Sequence, residues 1–325
     1  MNSKRIVIFG GSGFVGCHLV RELKQACVNH ITIADIVVPQ GEVFSGTSFV
    51  YCDVRSPIQD DIVSAPAVII HLAALCKEPG YDWDEYFQTN YSGTLNICDY
   101  ADRNGIRQII FTSTMMVFRA SELRNREDDL TAPDTAYGIS KLLAELALKE
   151  WAHKSIDRRL NIVRPGVVFG MGEKANFTKL YYALKKGRFA YIGRKNTVKG
   201  CIYVKDLVRF LVFLINAPQK DNVYNFVFPE PFTIENICTT MCNEFDFAKR
   251  LPVVPYSLAL IAGYIFEMLS VLGLKTSIHH RRVQKLYFST NISADRAMST
   301  GFQLKYTLQD ALKDWQRDCL PDDLH

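Results

Sequence analysis

A tyrosine and a lysine in the middle of the chain are the pair best suited to proton transfer. Tyr137 and Lys141 belong to the segment Tyr-Gly-Ile-Ser-Lys, and on a helix this spacing places both side chains on one face. A free tyrosine has a pKa of about 10 and is a poor base at neutral pH. A neighbouring ammonium favours the phenolate and lowers that pKa, so we predict that Tyr137 exchanges a proton with a substrate hydroxyl.

A glycine-rich turn near the amino terminus predicts a dinucleotide cofactor beside this pair. It follows an apolar strand candidate and opens a helix, which is the context of a dinucleotide-binding turn. The residues of this turn predicted to bind the cofactor are Gly10, Gly13, Phe14, Val15 and Gly16. Asp35, at the end of the second predicted strand, can accept hydrogen bonds from the ribose hydroxyls and repels a 2′-phosphate, which favours NAD over NADP. Both motifs together predict hydride transfer to or from a hydroxyl or a ketone, with Lys141 also within reach of the nicotinamide ribose.

Other candidate site residues end predicted strands. Asp53 can reach the adenine amino group, and the small residues of 71–74 allow the backbone to pack against the diphosphate. A hydroxyl from Thr112, Ser113 or Thr114 can align the reacting oxygen with Tyr137, and the pattern alone does not choose among the three. The segment 167–170 can form a wall beside the nicotinamide.

The elements that must position these residues alternate between β-branched runs and amphipathic segments. This pattern predicts an α/β fold, a Rossmann-type doubly wound parallel sheet followed by a smaller, mostly helical lobe that binds substrate. The predicted strands are Arg5–Phe9, His30–Ala34, Ser48–Cys52, Ala67–Leu72, Gln108–Thr112 and Leu160–Val163, and the predicted helices are Phe14–Ala26, Asp84–Arg103 and Tyr137–Ala152. We place the cofactor domain at residues 1–170 and the substrate lobe at 171–325, with Asn222–Val227 returning to the sheet.

Composition argues against several classes of protein, among them nucleic-acid binders and metalloproteins. The 325 residues carry a net charge of +4, which argues against a nucleic-acid binder. The nine cysteines are scattered singly and supply no metal set, so we expect reduced thiols, no metal and a cytoplasmic location. The run Ile6–Val15 is too short and glycine-rich for a signal peptide. Residues 174–205 hold nine Lys or Arg and no acidic residue, a pattern that suits phosphates, an anionic membrane or simply a solvated face.

The apolar segment 257–274 has a single charge, Glu267. A helix of this length measures about 27 Å, slightly short of a hydrocarbon core of about 30 Å. A buried or lid helix, a membrane-surface helix and a transmembrane span all remain open. The basic stretch 275–285 that follows favours contact with an anionic membrane surface.

These motifs, in this order, resemble the extended short-chain dehydrogenase/reductase family over nearly the whole chain. Nearest are the sugar-nucleotide epimerases and related enzymes of bacterial polysaccharide synthesis. Aligning Val117 with the family segment Ser-Ser-x-x-Val-Tyr-Gly implies that Thr114 is the catalytic hydroxyl, beside Tyr137 and Lys141. The resemblance further implies cofactor contacts from Asp53, Val54, Leu72, Ala73, Ala74, Asn90, Pro165 and Val167.

The departures from the family pattern are informative. Sugar-nucleotide 4,6-dehydratases carry Asp-Glu where this chain has Met115 and Met116, and two thioethers cannot act as acid or base, so dehydration is not expected. Phe118 and Arg119 replace Tyr-Gly, which removes a hydroxyl and adds a charge near the pocket.

The resemblance implies substrate contacts from Asn176, Lys199 and Arg281 or Arg282, where Lys199 occupies the position of a diphosphate-binding arginine.

The predicted function is therefore an NAD-dependent 4-epimerase of a diphosphate-linked hexosamine of the UDP-GlcNAc/GalNAc type, used in surface polysaccharide biosynthesis. The alternative is a net oxidoreductase, either a 4-keto-sugar reductase or a 3β-hydroxysteroid-type dehydrogenase. The carboxy-terminal part, with Pro255-Tyr256-Ser257 and Ser299-Thr300-Gly301-Phe302, resembles an epimerase subgroup whose sugar is carried on a polyprenyl diphosphate. We expect a homodimer and a peripheral contact with the inner face of the membrane.

Overall fold

The computed structural model describes residues 4–63, 68–78, 80–217, 222–248, 250–271 and 280–319. The strands in these ranges are β1 Arg5–Phe9, β2 His30–Asp35, β3 Ser48–Tyr51, β4 Val68–His71, β5 Gln108–Thr112, β6 Ser121–Asn125, β7 Arg159–Pro165, β8 Val167–Phe169, β9 Tyr191–Ile192, β10 Cys201–Tyr203, β11 Asn222–Phe226, β12 Val253–Val254 and β13 Thr290–Ile292. The helices are α1 Phe14–Gln25, α2 Trp83–Tyr86, α3 Gly93–Arg103, α4 Ala136–His153, α5 Asn176–Lys185, α6 Val204–Asn216, α7 Ile234–Glu244, α8 Tyr256–Val271, α9 His280–Tyr287, α10 Asp295–Ser299 and α11 Leu308–Cys319.

Seven parallel strands form the central sheet in the order β3-β2-β1-β4-β5-β7-β11. β1 lies between β2 and β4, so the direction of strand progression reverses beside β1. Its apolar residues Val7, Ile8 and Phe9 are fully buried, as expected for a sheet covered on both faces. This confirms the predicted doubly wound α/β fold and all six predicted strands, with ends that differ by at most two residues; the predicted start of the fourth strand, Ala67, lies outside the described residues.

Helices cover both faces of the sheet. α1 packs against α6 on one face, and α3 packs against α4 on the other. Two separate apolar clusters mark these layers, one around Leu19 and Leu211 and the other around Tyr100 and Leu148. The parallel orientation of the strands brings all their carboxyl ends to one edge of the sheet, where ligands of such folds bind.

The predicted helix over Asp84–Arg103 is helical from end to end, but its middle is π-helical rather than α-helical. The segment is α2, a π-helical turn over Phe87–Ser92, and α3. The wider turn contains Asn90, whose side chain is hydrogen-bonded to the loop after β4. α3 then starts at Gly93, where a Cβ atom would lie 2.7 Å from a methyl carbon of Val54.

The carboxy-terminal half contributes to the sheet as well as to the lobe. β11 pairs in parallel with β7 at the edge of the sheet, from Asn222 opposite Asn161 to Phe226 opposite Pro165. This confirms the predicted return of the chain to the sheet. The remaining strands form three two-stranded parallel pairs, β8 with β10, β9 with β12 and β6 with β13.

The apolar segment that began at residue 257 is helical through Val271, and residues 272–274 of the prediction lie outside the described residues. α8 packs against α9, and Glu267 meets Nδ1 of His280 at 2.6 Å. Five large side chains on α8 are nevertheless exposed, namely Leu258, Ile261, Tyr264, Ile265 and Met268. Among the helices in the described ranges, none is both long and apolar enough to cross a bilayer.

Candidate active site

The glycine-rich turn lies directly against the segment that follows β4. Gly10 has a φ of +78°, and a Cβ atom there would lie 2.5 Å from the backbone nitrogen of Ala73. Only glycine combines that backbone conformation with so close an approach. The turn therefore brings residues 10–16 and 72–74 together at the edge of the sheet, beside the reversal at β1.

The amino terminus of α1 opens onto this edge. Gly13 is the residue before the helix, and as a glycine it offers no capping side chain to the first backbone N–H groups, which include those of Phe14 and Val15. A Cβ atom at Gly16 would lie 2.2 Å from the carbonyl oxygen of Gly11, whereas one at Gly13 would lie 3.5 Å from Gly10. Gly16 is thus required for chain packing, while Gly13 leaves an open approach to the helix terminus, which favours a pyrophosphate.

The carboxylate of Asp35 is held at the end of β2 by two backbone donors. Ser12 donates its N–H to Oδ2 at 2.9 Å, and Val37 donates to Oδ1 at 3.1 Å. The half-buried carboxylate therefore points back to the glycine-rich turn. A nucleotide ribose bridging α1 and β2 would meet this acceptor, so the residues present fit NAD.

The other predicted cofactor residues follow the carboxyl ends of their strands. Asp53 pairs with Arg55 at 2.6 Å, and the hydrogen bonds from Arg55 lower the pKa of its carboxyl. Val54 is held against α3 by Asn96, which donates to its carbonyl at 2.8 Å. The remaining members lie after β4 and around the end of β7, namely Leu72, Ala73, Ala74, Pro165 and Val167.

Both polar atoms of the Asn90 side chain form hydrogen bonds with other residues of the protein. Its Oδ1 accepts the N–H of Leu75 at 2.8 Å, and its Nδ2 donates to the carbonyl of Leu75 at 3.1 Å and to Oγ of Ser140 at 2.9 Å. Ser140 in turn donates to the carbonyl of Tyr137 at 2.9 Å. Asn90 thus connects the loop after β4 to the first turns of α4, which carry Tyr137.

Tyr137 and Thr114 meet at the start of α4. Thr135 caps this helix by accepting the N–H of Gly138 at 3.1 Å. A Cβ atom at Gly138 would lie 2.3 Å from the carbonyl oxygen of Met116, so glycine permits the helix to pack directly on the turn that follows Thr114. Burial raises the pKa of Tyr137, in contrast to the lowered value that the sequence predicts, and the neighbouring Thr114 side chain acts to lower it.

Lys141 is one turn further along α4 and is fully buried. Its Nζ lies 4.0 Å from the centre of the Phe111 ring. Burial lowers the pKa of Lys141 to about 7, while its electrostatic interactions with Cys76 and Glu145 act to raise it. The lysine is therefore poised between its charged and neutral forms, and additional negative charge in the site would favour the ammonium.

Sequence reasoning missed Glu145, which lies one helical turn after Lys141 on the same face of α4. Glu145 is buried and forms a bidentate ion pair with Arg164, with its Oε1 also accepting the hydroxyl of Ser113 at 2.6 Å. The signal was present in the spacing: Tyr137, Lys141 and Glu145 are successive i, i+4 positions on one helix face. A carboxylate on the buried face of a helix requires a partner.

The predicted substrate residues are less closely grouped. Asn176 is the exposed first residue of α5. Lys199 donates from Nζ to the carbonyl oxygens of Lys285 at 2.7 Å and Phe288 at 2.6 Å, at the end of α9, and burial lowers its pKa to about 8. Arg281 lies in α9, but its side chain is outside the described residues, as is that of Arg282.

Known proteins resemble this chain in sequence and in fold. The family described as "NAD dependent epimerase/dehydratase family" matches residues 6–226. The N-acetyl-alpha-D-glucosaminyl-diphospho-ditrans,octacis-undecaprenol 4-epimerase of Escherichia coli O157:H7 is 29% identical over 313 residues, covering 94% of this chain and 92% of that protein. The UDP-glucose 4-epimerase of Vibrio cholerae is 27% identical over 242 residues, covering 67% and 69%. The crystal structure of UDP-N-acetylglucosamine 4-epimerase from Bacillus cereus matches with a TM-score of 0.77 at 18% identity, covering 99% of both chains.

Proposed function

Because this chain belongs to the NAD dependent epimerase/dehydratase family, within the extended short-chain dehydrogenases/reductases, we propose that it is a 4-epimerase of a diphosphate-linked N-acetylhexosamine in surface polysaccharide biosynthesis. The observation that carries this proposal is the placement of Tyr137 and the buried Lys141 on one face of α4, next to the strand end that bears Thr114. These groups lie at the edge of the sheet where the glycine-rich turn fits a dinucleotide.

Each of these three residues has a distinct role in the proposed reaction. Thr114 orients the C4 oxygen of the sugar against Tyr137, and Tyr137 takes the proton of that hydroxyl and later returns it. Lys141 stabilises the phenolate by its charge. When bound, NAD supplies the acceptor and donor of the C4 hydride, so no net oxidation occurs over a cycle. The 4-keto sugar must turn in the pocket between the two transfers.

Two methionines argue against elimination of water. Met115 and Met116 form the turn immediately after Thr114, and Met116 packs against Tyr137. A thioether can neither donate nor accept a proton at neutral pH, so the site has no second acid or base at these positions. This favours an epimerase over a dehydratase within the same family.

Turnover with defined sugars tests the chemistry. The protein with NAD is incubated with UDP-GlcNAc or with undecaprenyl-diphosphate GlcNAc, products are separated by chromatography, and absorbance at about 340 nm follows NADH. An epimerase forms the C4 epimer with no net NADH. Stoichiometric NADH would instead favour the dehydrogenase alternative, and NADH consumption with a 4-keto sugar would favour the reductase.

We further propose that the natural carrier is a polyprenyl diphosphate, presented at the inner face of the cytoplasmic membrane. Leu258, Ile261, Ile265 and Met268 follow a spacing of three and four residues, so they share one face of α8, and each is at least 52% exposed. α9 packs beside α8 and its sequence carries Arg281, Arg282 and Lys285. An apolar face next to basic residues suits an anionic bilayer surface.

Vesicle binding tests this contact. We expect the protein to sediment with vesicles of phosphatidylglycerol and phosphatidylcholine, and the variant Ile261→Ser/Met268→Ser to remain in the supernatant. The control Leu130→Ser/Ile156→Ser changes two residues that are 88% and 87% exposed elsewhere on the surface, and it should bind as the unaltered protein does. Equal binding by both variants would contradict the proposed role of α8.

We also propose a homodimer formed through α3 and α4. These helices pack side by side, and Leu95 and Leu146 on them are 43% and 52% exposed. Light scattering after size exclusion should give twice the chain mass, and Leu95→Glu/Leu146→Glu should give the mass of one chain. A dimer that survives this substitution would place the interface elsewhere.

A further inference from the structure

A buried ion pair lies behind the proposed catalytic residues. Glu145 and Arg164 have side chains 0% and 2% exposed. Arg164 donates from Nε to Oε1 at 2.9 Å and from Nη2 to Oε2 at 2.6 Å. This bidentate geometry fixes the orientation of both groups, and neither group belongs to the proton transfer assigned to Tyr137.

The carboxylate of Glu145 joins three elements of the sheet edge. It is carried by α4, two helical turns after Tyr137, and it binds Arg164 from β7. Its Oε1 also accepts the hydroxyl of Ser113 at 2.6 Å. Ser113 directly precedes Thr114, and its N–H donates to the carbonyl of Val163 at 2.7 Å. One carboxylate thus links α4, which carries Tyr137, to the strand end that carries Thr114.

Arg164 extends the same group towards the segment that follows Thr114. Its Nη1 donates to the carbonyl oxygen of Glu127 at 3.2 Å, and its guanidinium lies 5.1 Å from the centre of the Phe118 ring. Replacing a buried ion pair by well-packed neutral residues is often neutral or favourable for stability. The retention of two charges here is therefore better explained by the geometry that they impose on the adjacent site.

We propose that Glu145 and Arg164 are positioning residues, which hold the strand end bearing Ser113 and Thr114 in register with the α4 face bearing Tyr137. The inference rests on the proposed proton transfer by Tyr137. A misplacement of about 1 Å between reacting groups can cost about 100-fold in rate, so a bridge between both partners has a direct effect on turnover.

The same carboxylate acts on Lys141 through its charge. Glu145 and Cys76 both raise the pKa of Lys141 against the effect of burial. The third titratable neighbour, His71 on β4, is fully buried, and burial holds its pKa well below the usual value, so it remains neutral. Loss of the Glu145 charge should therefore make Lys141 deprotonate at lower pH, and the alkaline limb of activity should move in that direction.

The test compares Glu145→Gln/Arg164→Gln, which removes both charges and retains hydrogen-bonding groups, with the unaltered enzyme. We expect NAD binding to persist, kcat to fall about tenfold or more with KM within about twofold, and the alkaline limb of the pH profile to shift to lower pH. Ser113→Ala leaves the ion pair intact. It should lower kcat several-fold in a protein that still folds, and it keeps the test decisive if the double variant does not fold.

A matched control separates positioning from stability. Asp206 on α6 is also fully buried, pairs with Arg209 at 2.7 Å and accepts the N–H of Lys305 at 2.9 Å. Asp206→Asn should lower the melting temperature but retain kcat and the pH profile. Wild-type kcat and pH profile in the folded double variant, or wild-type kcat in Ser113→Ala, would overturn the proposal. Full activity in Tyr137→Phe would instead contradict the proposed function itself.

Discussion

The edge of the sheet around Tyr137 and the hairpin of α8 and α9 are built in opposite ways. Around Tyr137 the helix, the strand ends and the loop after β4 are joined by buried hydrogen bonds, and Lys141 is 1% exposed. On α8 the large apolar side chains face outwards, with Met268 70% exposed. The first region can hold a small reacting group in one orientation, whereas the second offers an extended surface.

In the proposed function, these two regions would bind different parts of one substrate. The sugar ring needs precise placement against Thr114 and Tyr137, because proton and hydride transfer depend on distance. The proposed polyprenyl carrier has no polar group along its chain and would need only an apolar surface, such as the exposed face of α8. The reaction and the carrier are therefore expected to respond to different substitutions.

The largest effect is expected from Tyr137→Phe. Without the phenol no group at this position can exchange the C4 proton, so kcat should fall about 100-fold or more while NAD still binds. Steady-state kinetics on either carrier measures this. Tyr306→Phe, which alters a tyrosine packed on Tyr203, should keep its kcat. A loss of less than about tenfold for Tyr137→Phe would show that another group moves the proton.

Gly13→Ala and Gly16→Ala should separate cofactor binding from folding. A Cβ atom at Gly16 would lie 2.2 Å from the carbonyl oxygen of Gly11, but one at Gly13 would lie 3.5 Å from that of Gly10. We expect Gly16→Ala to lower the melting temperature by about 5 °C or more. Gly13→Ala should melt like the unaltered protein without cofactor and bind NAD about tenfold more weakly by calorimetry, because its methyl group occupies the approach to α1. Unchanged NAD binding by Gly13→Ala would place the pyrophosphate elsewhere.

Lys141→Met should stabilise the cofactor-free protein while it lowers activity. Burial lowers the pKa of Lys141 from 10.5 to about 7, so between these pH values the unfolded chain binds more protons. The free energy of unfolding therefore rises with pH across this window, and the cost of the buried charge is greatest below about pH 7. The variant should melt several degrees higher at about pH 6, with the difference shrinking towards about pH 10. The exposed Lys179→Met serves as control, and a lower melting temperature for Lys141→Met would contradict this account.

The smallest effect on the chemistry itself is expected from Ile261→Ser/Met268→Ser. With a nucleotide-linked sugar, kcat and KM should stay within about twofold of the unaltered enzyme, because both side chains are exposed on α8 and the proposed reacting groups lie on α4. With the polyprenyl-linked sugar in vesicles, KM should rise several-fold. Equal changes on both substrates would remove the distinction between the two regions.

The reaction site was largely predictable because its chemistry demands particular residues at particular spacings. Gly10, Asp35, Tyr137 and Lys141 are placed at strand ends and on one helix face, as the pattern predicts. The requirement for glycine at position 138 could not be predicted, because it arises only from the close approach of the Met116 carbonyl, which is distant in sequence. Such tertiary contacts have no local signature.

The π-helical turn within the helical stretch 83–103 shows a second limit of prediction from sequence. The periodicity of Asp84–Arg103 is compatible with one helix, but the Asn90 side chain binds both the N–H and the carbonyl of Leu75. The π-helical turn accommodates that tertiary pairing at the cost of regular helix geometry. Likewise, the family resemblance implies a phosphate contact for Lys199, which stays a prediction, but it gives no sign that Nζ also caps the carboxyl end of α9.

The central claim is that one hydride leaves C4 and returns to it within a single active site. An N-acetylhexosamine substrate carrying deuterium at C4 tests this claim most directly, with the product analysed by mass spectrometry and NMR. We predict that the epimerised product retains the deuterium at C4, with none released to solvent or found in added NAD. Loss of the label to water, or its accumulation in the nicotinamide pool, would contradict the account.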